Sequence, residues 1–318
     1  MGAPVSLKNF IPQVEWPILQ EEIEAILHLK KERKALILAH NYMTPDIFHG
    51  ISDIRGDSLA LAQQAVGLDV PVILVCGVHF MAETVKILNP DKTVLIADLN
   101  AGCSLAESIT ANEVKKLKAK HPGVPVVTYV NTSAEVKAES DICCTSGNAL
   151  KIVESLPGNE VIFIPDKFLA ENVAKQSSKK IYTHDGSCIV HERFSADDIL
   201  DFRSSYPGAK ILAHPECPRP VTDNSDYTGS TAQMIQWIKT NRPQKVMLLT
   251  ECSMSDNIAK ENPEIEFVKP CNLCPHMKRI TLPKIKTCLQ NLTPEVNVAP
   301  DVIQRARRAI ERMLEVGR

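Results

Sequence analysis

Two patterns alternate along the chain. Short apolar, often β-branched runs of strand length are separated by stretches in which apolar residues recur at helical spacing. The first helical stretch, 18–32, sets Ile18, Leu19, Ile23, Ile26 and Leu27 on one face. The run 35–39 follows and ends in His40-Asn41-Tyr42, as expected of a buried strand that delivers polar residues at its carboxyl end. Strands are expected again at 70–77, 93–97, 160–165, 180–183, 245–250 and 264–268, with helices between them. The last pattern, 300–316, is an amphipathic helix. Strands alternating with helices imply parallel sheets covered by helices. In such sheets ligands bind beyond the carboxyl ends of the strands.

The alternation is periodic. Ser52-Asp53-Ile54-Arg55-Gly56-Asp57-Ser58 is echoed by Ser140-Asp141-Ile142-Cys143-Cys144-Thr145-Ser146. It is echoed again by Ser225-Asp226-Tyr227-Thr228-Gly229-Ser230-Thr231. Each copy leads into a helix and then a strand. Phe80-Met81-Ala82-Glu83 matches Phe168-Leu169-Ala170-Glu171, with a looser third copy at Ser253-Met254-Ser255-Asp256. Each copy then reaches a turn with a cysteine: Gly102-Cys103, Gly186-Ser187-Cys188 and Cys271-Asn272-Leu273-Cys274. Seven residues beyond Cys103, Cys188 and Cys274 stand Thr110, Ser195 and Thr281, hydroxyl residues able to cap a helix. Glu113 and Asp198 complete capping boxes in two copies, whereas Lys284 takes that place in the third. The spacing selects Cys274 over Cys271 as the third equivalent cysteine, because Cys103, Cys188 and Cys274 stand 85 and 86 residues apart.

The expected fold is therefore α/β, with three homologous αβα units bearing small parallel sheets around a pseudo-threefold axis. The expected boundaries are 1–107, including an irregular N-terminal arm and a helix, then 108–192 and 193–280. C-terminal helices in 281–318 close the ring. Three units with inward strand ends converge on one central site.

Composition narrows the chemistry. The chain has 36 basic and 38 acidic residues and only 5% aromatics, which argues against a nucleic-acid surface. No stretch approaches the ~20 apolar residues of a membrane helix. The first sixteen residues lack the apolar core of an export signal, so the cytoplasm is the expected compartment. The ten cysteines are then expected to be thiols rather than disulfides. Cys76, Cys252 and Cys288 lie in apolar segments and read as buried small hydrophobes.

Three converging cysteines leave several readings open. They are a disulfide or a set of buried thiols, or part of a zinc site to which Cys271-x-x-Cys274 and His276 contribute, or anchors of an iron–sulfur cluster. Three thiolates would leave one iron of a four-iron cluster open to act as a Lewis acid. The surrounding residues suit a small anionic substrate. Ser58, Ser146, Ser230 and Thr231 stand at helix starts, where hydroxyls and free N–H groups cap the helix or bind phosphate and carboxylate. His40, Tyr42, Tyr129, Asn131, His214 and Glu216 stand at equivalent strand ends; His40, Tyr42, Tyr129, His214 and Glu216 offer proton donors and acceptors. Glu83 and Glu171 fit a solvated helix face as well as a site. His79, His121, His184, His191 and His276 lack support from the repeat.

These blocks, in this order, resemble the quinolinate synthase (quinolinate synthetase A) family of NAD biosynthesis. The carriers are Ala39-His40-Asn41-Tyr42, Gly56-Asp57-Ser58, Phe80-Met81-Ala82-Glu83-Thr84, Ala101-Gly102-Cys103-Ser104-Leu105-Ala106 and Thr128-Tyr129-Val130-Asn131-Thr132. They continue with Cys144-Thr145-Ser146, Gly186-Ser187-Cys188, Ala213-His214-Pro215-Glu216-Cys217, Gly229-Ser230-Thr231 and Cys274-Pro275-His276-Met277. The resemblance implies a transferase that condenses iminoaspartate with dihydroxyacetone phosphate to quinolinate, releasing phosphate and water. It implies one [4Fe-4S] cluster on Cys103, Cys188 and Cys274. It implies that His40, Ser58, Tyr129, Asn131, Ser146, Ser230 and Thr231 hold the substrates, and that Tyr42, His214 and Glu216 move protons. An L-aspartate-oxidising enzyme is the implied supplier of the imine. Rival readings are another open-iron hydro-lyase acting on a small polyacid, and a zinc-stabilised protein without catalysis. The chain departs from common members at Asn41, at His184 and at Val268. Val268 stands where some members have a third cysteine, so a disulfide or redox control built on that cysteine is not carried over; a Cys271–Cys274 pair in the absence of the cluster stays open.

Overall fold

The computed structural model describes Val14 and residues 16–317. The expected N-terminal arm lies almost wholly outside the described residues. Among the described residues, twelve strands form three four-stranded sheets. The first holds β1 (Ala35–His40), β2 (Ile54–Gly56), β3 (Val72–Cys76) and β4 (Thr93–Ile96). The second holds β5 (Val126–Tyr129), β6 (Ile142–Cys144), β7 (Glu160–Ile164) and β8 (Lys180–Thr183). The third holds β9 (Lys210–Ala213), β10 (Tyr227–Thr228), β11 (Lys245–Leu249) and β12 (Glu266–Val268). Their orders are β2-β1-β3-β4, β6-β5-β7-β8 and β10-β9-β11-β12, and every pairing is parallel. The three-unit α/β architecture expected from the repeat is the one observed.

The repeated Ser-Asp motif is a backbone clasp. The Asp53 carboxylate accepts Ile37 N–H at 2.9 Å, Asp141 accepts Val126 N–H at 2.8 Å, and Asp226 accepts Ile211 N–H at 2.9 Å. Each bond satisfies a donor at the start of the sheet's second strand in space, a group that would otherwise be costly to bury. The cysteine turns repeat as closely. His79 N–H donates to Ala101 at 2.7 Å, Lys167 N–H to Gly186 at 2.9 Å and Cys252 N–H to Asn272 at 3.4 Å. Each acceptor lies two residues before its cysteine. A helical turn follows each cysteine, with Glu107, Glu192 and Lys278 N–H donating to the Cys103, Cys188 and Cys274 carbonyls at 3.0, 3.0 and 3.1 Å. At Gly186 a Cβ would stand 2.6 Å from the Pro165 carbonyl oxygen, so the close approach of the two chains requires glycine.

Burial follows pattern, with differences at the edges. All five residues of β3 are buried, as a strand covered on both faces requires. Helix Trp16–Glu32 buries Ile23 and Ile26, but Ile18 and Leu27 are exposed, because only a narrow stripe of it meets the helix Leu282–Asn291. Thr281 stands at the N-cap of that second helix without a side-chain cap bond. Lys284 reaches Asp98 instead, at 2.6 Å. Cys76, Cys252 and Cys288 are buried as expected.

One apolar core spans the first two sheets and the C-terminal helix Pro300–Val316, which packs on helices His79–Leu88 and Ala134–Ala138. The third sheet has its own clusters on its two faces. Its seam with the others carries many polar contacts: Asn41 Nδ2 to Thr231 Oγ1 at 2.8 Å, Asn257 Nδ2 to the Asn41 and Met43 carbonyls, and Asn172 Nδ2 to the Pro215 carbonyl. No helix among the described residues is long and apolar enough to cross a membrane.

Candidate active site

The three cysteine turns and the ends of β1, β5 and β9 line one cavity, with about 70 Å³ of space open to water-sized atoms. Cys103, Cys188 and Cys274 all face it, from three different units. So do His40, Tyr42, Ser58, Tyr129, Asn131, Ser146, His214, Glu216 and Thr231. Ser230 is the one expected site residue that does not line it. Its hydroxyl caps helix Thr231–Asn241 by accepting Gln233 N–H at 3.3 Å. Ser58 and Thr231 are the first residues of their helices, whereas Ser146 stands three residues before Ala149, behind an Asn148 cap.

Burial pushes the thiol of Cys103 up to about 12, and those of Cys188 and Cys274 upward as well. Cys103 lies close enough to both others for their charges to interact. Three thiols that resist ionisation side by side are a poor set of nucleophiles. They are a good set of soft ligands, because a bound cation makes the thiolate the favoured form. The donor set fits a metal group held by thiolates. Cys271 is exposed, does not line the cavity and shares a hydrogen bond with the Cys252 thiol.

Glu216 is buried and receives the Tyr129 hydroxyl on Oε1. Its Oε2 lies 2.9 Å from His191 Nδ1. Burial alone would raise this carboxyl; the His191 and His214 imidazoles and the Tyr129 hydroxyl outweigh it and hold Glu216 well below the usual carboxylate range. His191 Nδ1 also lies 3.2 Å from Cys188 Sγ, and Nε2 lies 2.9 Å from Thr250 Oγ1. Thr250 in turn stands 2.6 Å from the Tyr42 hydroxyl. A hydrogen-bonded chain thus runs from Tyr42 through Thr250, His191 and Glu216 to Tyr129. The His191 and His214 rings stack with centroids 4.6 Å apart. Cys188, His191 and Glu216 present three ligand atoms within 4.8 Å of one another. His191 and Thr250 are therefore site residues that the repeat did not single out. The sequence signal was only proximity, since His191 lies three residues beyond Cys188 on the same turn.

The remaining groups are poised as neutral donors and acceptors. Burial, then the Glu216 charge, lifts both Tyr42 and Tyr129 well above an ordinary phenol, so each keeps its proton. Burial lowers His40 to about 4 and His214 to about 3, so both imidazoles are neutral near pH 7. Tyr42 N–H donates to His40 Nδ1 at 3.2 Å, and Glu216 N–H points to His214 Nδ1 at 3.4 Å. Those contacts assign the proton of each ring to Nε2. The Nε2–H of His214 faces the Ser146 hydroxyl at 3.2 Å. Asn131 Oδ1 is buried without a partner. Glu83, left open by the sequence, is buried outside the cavity lining and accepts Ala134 N–H at 3.0 Å, tying the first unit to the second.

Known proteins share this arrangement of blocks along nearly the whole chain. The sequence matches the quinolinate synthetase A protein family over residues 24–315. It is 58% identical over 310 residues to quinolinate synthase 1 of Mesorhizobium japonicum, covering 98% of this chain and 96% of that protein. It is 58% identical over 306 residues to quinolinate synthase of Agrobacterium fabrum, covering 96% and 89%. Against quinolinate synthase of Xylella fastidiosa (strain Temecula1) it is 59% identical over 295 residues, covering 93% and 87%. A match of that extent, over all three units and every cysteine turn, places the chain in the quinolinate synthetase A family.

Proposed function

We propose that the chain condenses iminoaspartate with dihydroxyacetone phosphate to quinolinate, releasing phosphate and water, as a cytoplasmic transferase of NAD biosynthesis. The observation that carries this reading is the meeting of three part-buried thiols, one from each unit, with a ring of neutral hydroxyl, amide and imidazole groups in one cavity. The family and the names of the relatives support the same reading.

Cys103, Cys188 and Cys274 are the residues that would hold a [4Fe-4S] cluster. When bound, such a group supplies an iron without a protein thiolate, a Lewis acid for carbonyl and hydroxyl oxygens. The chain's own groups do the rest. Ser58 and Thr231, with the helix starts they stand on, and the Ser146 hydroxyl offer donors to carboxylate and phosphate oxygens, and Ser230 holds one of those starts in place. His40 offers its Nε2–H, and Asn131 and Tyr129 offer further polar contacts. Glu216 is the ionised base of the site. Tyr42 and Tyr129 are protonated donors at the two ends of the hydrogen-bonded chain. His214 offers its Nε2–H to a bound hydroxyl and so orients it for proton transfer. The imine is short-lived in water, which makes an L-aspartate-oxidising enzyme its expected source. Residues 1–107, 108–192, 193–280 and 281–318 are the corresponding domain division.

The test is anaerobic purification with iron and sulfide analysis, followed by a quinolinate assay on the same sample. About four irons and four sulfides per chain are expected. One zinc and no sulfide would refute the cluster. A different product from a small polyacid, with no quinolinate, would favour the hydro-lyase reading.

A further inference from the structure

The third unit holds the loop that carries Tyr42 by three successive carbonyls. Asn257 Nδ2 donates to the Asn41 carbonyl at 3.1 Å and to the Met43 carbonyl at 2.8 Å. Lys278 Nζ donates to the Tyr42 carbonyl between them, at 2.9 Å. The same ammonium donates to Ser253 Oγ at 2.6 Å and stands 3.0 Å from Glu251 Oε1. Glu251 has no solvent exposure. Its Oε2 accepts Ser253 N–H at 2.9 Å, and the carboxylate also receives Cys274 N–H. Oε1 has no other partner, so Lys278 is the counter-ion of a buried carboxylate that fixes the Cys274 turn. Lys278 itself lies on the helical turn that begins at Cys274.

We propose that Lys278 is a positioning residue: paired with Glu251, it clamps the third cysteine turn of the third unit to the Tyr42 loop of the first. Apolar packing reaches across this seam, since Met277 belongs to the core of the first two sheets and Tyr42 packs on a cluster of the third, but such packing is non-directional and does not set a register. Directional bonds therefore fix the register of Tyr42 against Cys274. Removing the ammonium strips a donor from the Tyr42 carbonyl and leaves Glu251 buried and unpaired. Both sides of the clamp then loosen together. The consequence for turnover rests on the function proposed above, whereas the clamp itself does not.

The test uses Lys278→Met, Lys278→Arg and Asn257→Ala. In the metal-free chain, alkylation by iodoacetamide is followed at each cysteine by peptide mass spectrometry. In Lys278→Met, Cys274 should react about tenfold faster than in the parent chain, with Cys103 and Cys188 unchanged. Lys278→Arg should restore most of the protection, since a guanidinium can reach the same acceptors. Asn257→Ala should leave Cys274 protected, because it touches only the Tyr42 loop. After cluster loading, turnover per bound iron should fall about tenfold or more in Lys278→Met and recover in Lys278→Arg. A parental Cys274 rate in Lys278→Met overturns the clamp, as does an equal rise at all three cysteines. Unchanged turnover per iron overturns the positioning of Tyr42. A parent chain that makes no quinolinate sinks the proposed function instead, and the alkylation contrast still decides the clamp.

Discussion

Replacing His191 by leucine removes three polar contacts at once and keeps a side chain of similar bulk. The lost partners are Glu216 at 2.9 Å, Thr250 at 2.9 Å and Cys188 at 3.2 Å. Glu216 is only 3% exposed, and a water in the cavity it lines would replace only part of what the imidazole supplies. Tyr129 still donates to it, and His214 Nδ1 stays 3.8 Å away, too far for a hydrogen bond. Stripping a buried charge of its main partner costs about 3 kcal/mol. The remaining Tyr129 bond keeps the expected loss at that end of the range. Glu216→Gln in the His191→Leu background removes the stranded charge, so most of the loss should return. The assay is a double-mutant cycle by urea denaturation of the metal-free chain. The expected coupling is about 2–3 kcal/mol, well above the ~0.5 kcal/mol within which independent sites add. Additive single effects would mean that His191 does not hold the Glu216 charge, and the hydrogen-bonded chain from Tyr42 to Tyr129 would fail as an account of the site.

Cys103→Ala should abolish iron and sulfide binding while Cys271→Ala preserves it; loss in Cys271→Ala with retention in Cys274→Ala would identify the wrong third ligand. Glu216→Gln should keep its iron and lose at least about a hundredfold in quinolinate formation, the weight of a positioned base, and parental activity would remove Glu216 from the catalytic set. Acid should destabilise the metal-free chain through His40, whose folded value is about 4 against 6.5 ordinarily. Between those values the unfolded chain binds more protons, so stability falls as pH is lowered, by about 2 kcal/mol from about pH 7 to about pH 5. His40→Asn should remove about that share of the acid loss while His214 and His49 keep theirs, and an unchanged profile would refute the buried neutral imidazole.

What the sequence made legible, and what it hid, divide along one physical line. A repeat exposes positions that do the same job three times. Asp53, Asp141 and Asp226 are visible because each clasps the same backbone donor, and Cys103, Cys188 and Cys274 because each follows the same turn. A shared axis then needs no three-dimensional information: equivalent turns on equivalent units must meet. The groups that break the threefold symmetry are the ones that escaped. His191 has no counterpart after Cys103, where Ala106 stands three residues on, and after Cys274 the place is held by Met277. Thr250 directly follows β11, and the equivalent places after β3 and β7, Gly77 and Pro165, carry no hydroxyl. Lys278 and Glu251 matter because they join unlike partners across a seam. A single substrate is itself asymmetric, so a site at the centre of a pseudo-threefold ring can anchor its metal group with what the units share. It must do chemistry with what they do not. Ser230 marks the limit from the other side. Its place in the repeat pointed to a ligand contact; its hydroxyl accepts Gln233 N–H as the cap of Thr231–Asn241 and does not line the cavity. Homologous position predicts where a side chain sits, and the local supply of backbone donors decides what it binds.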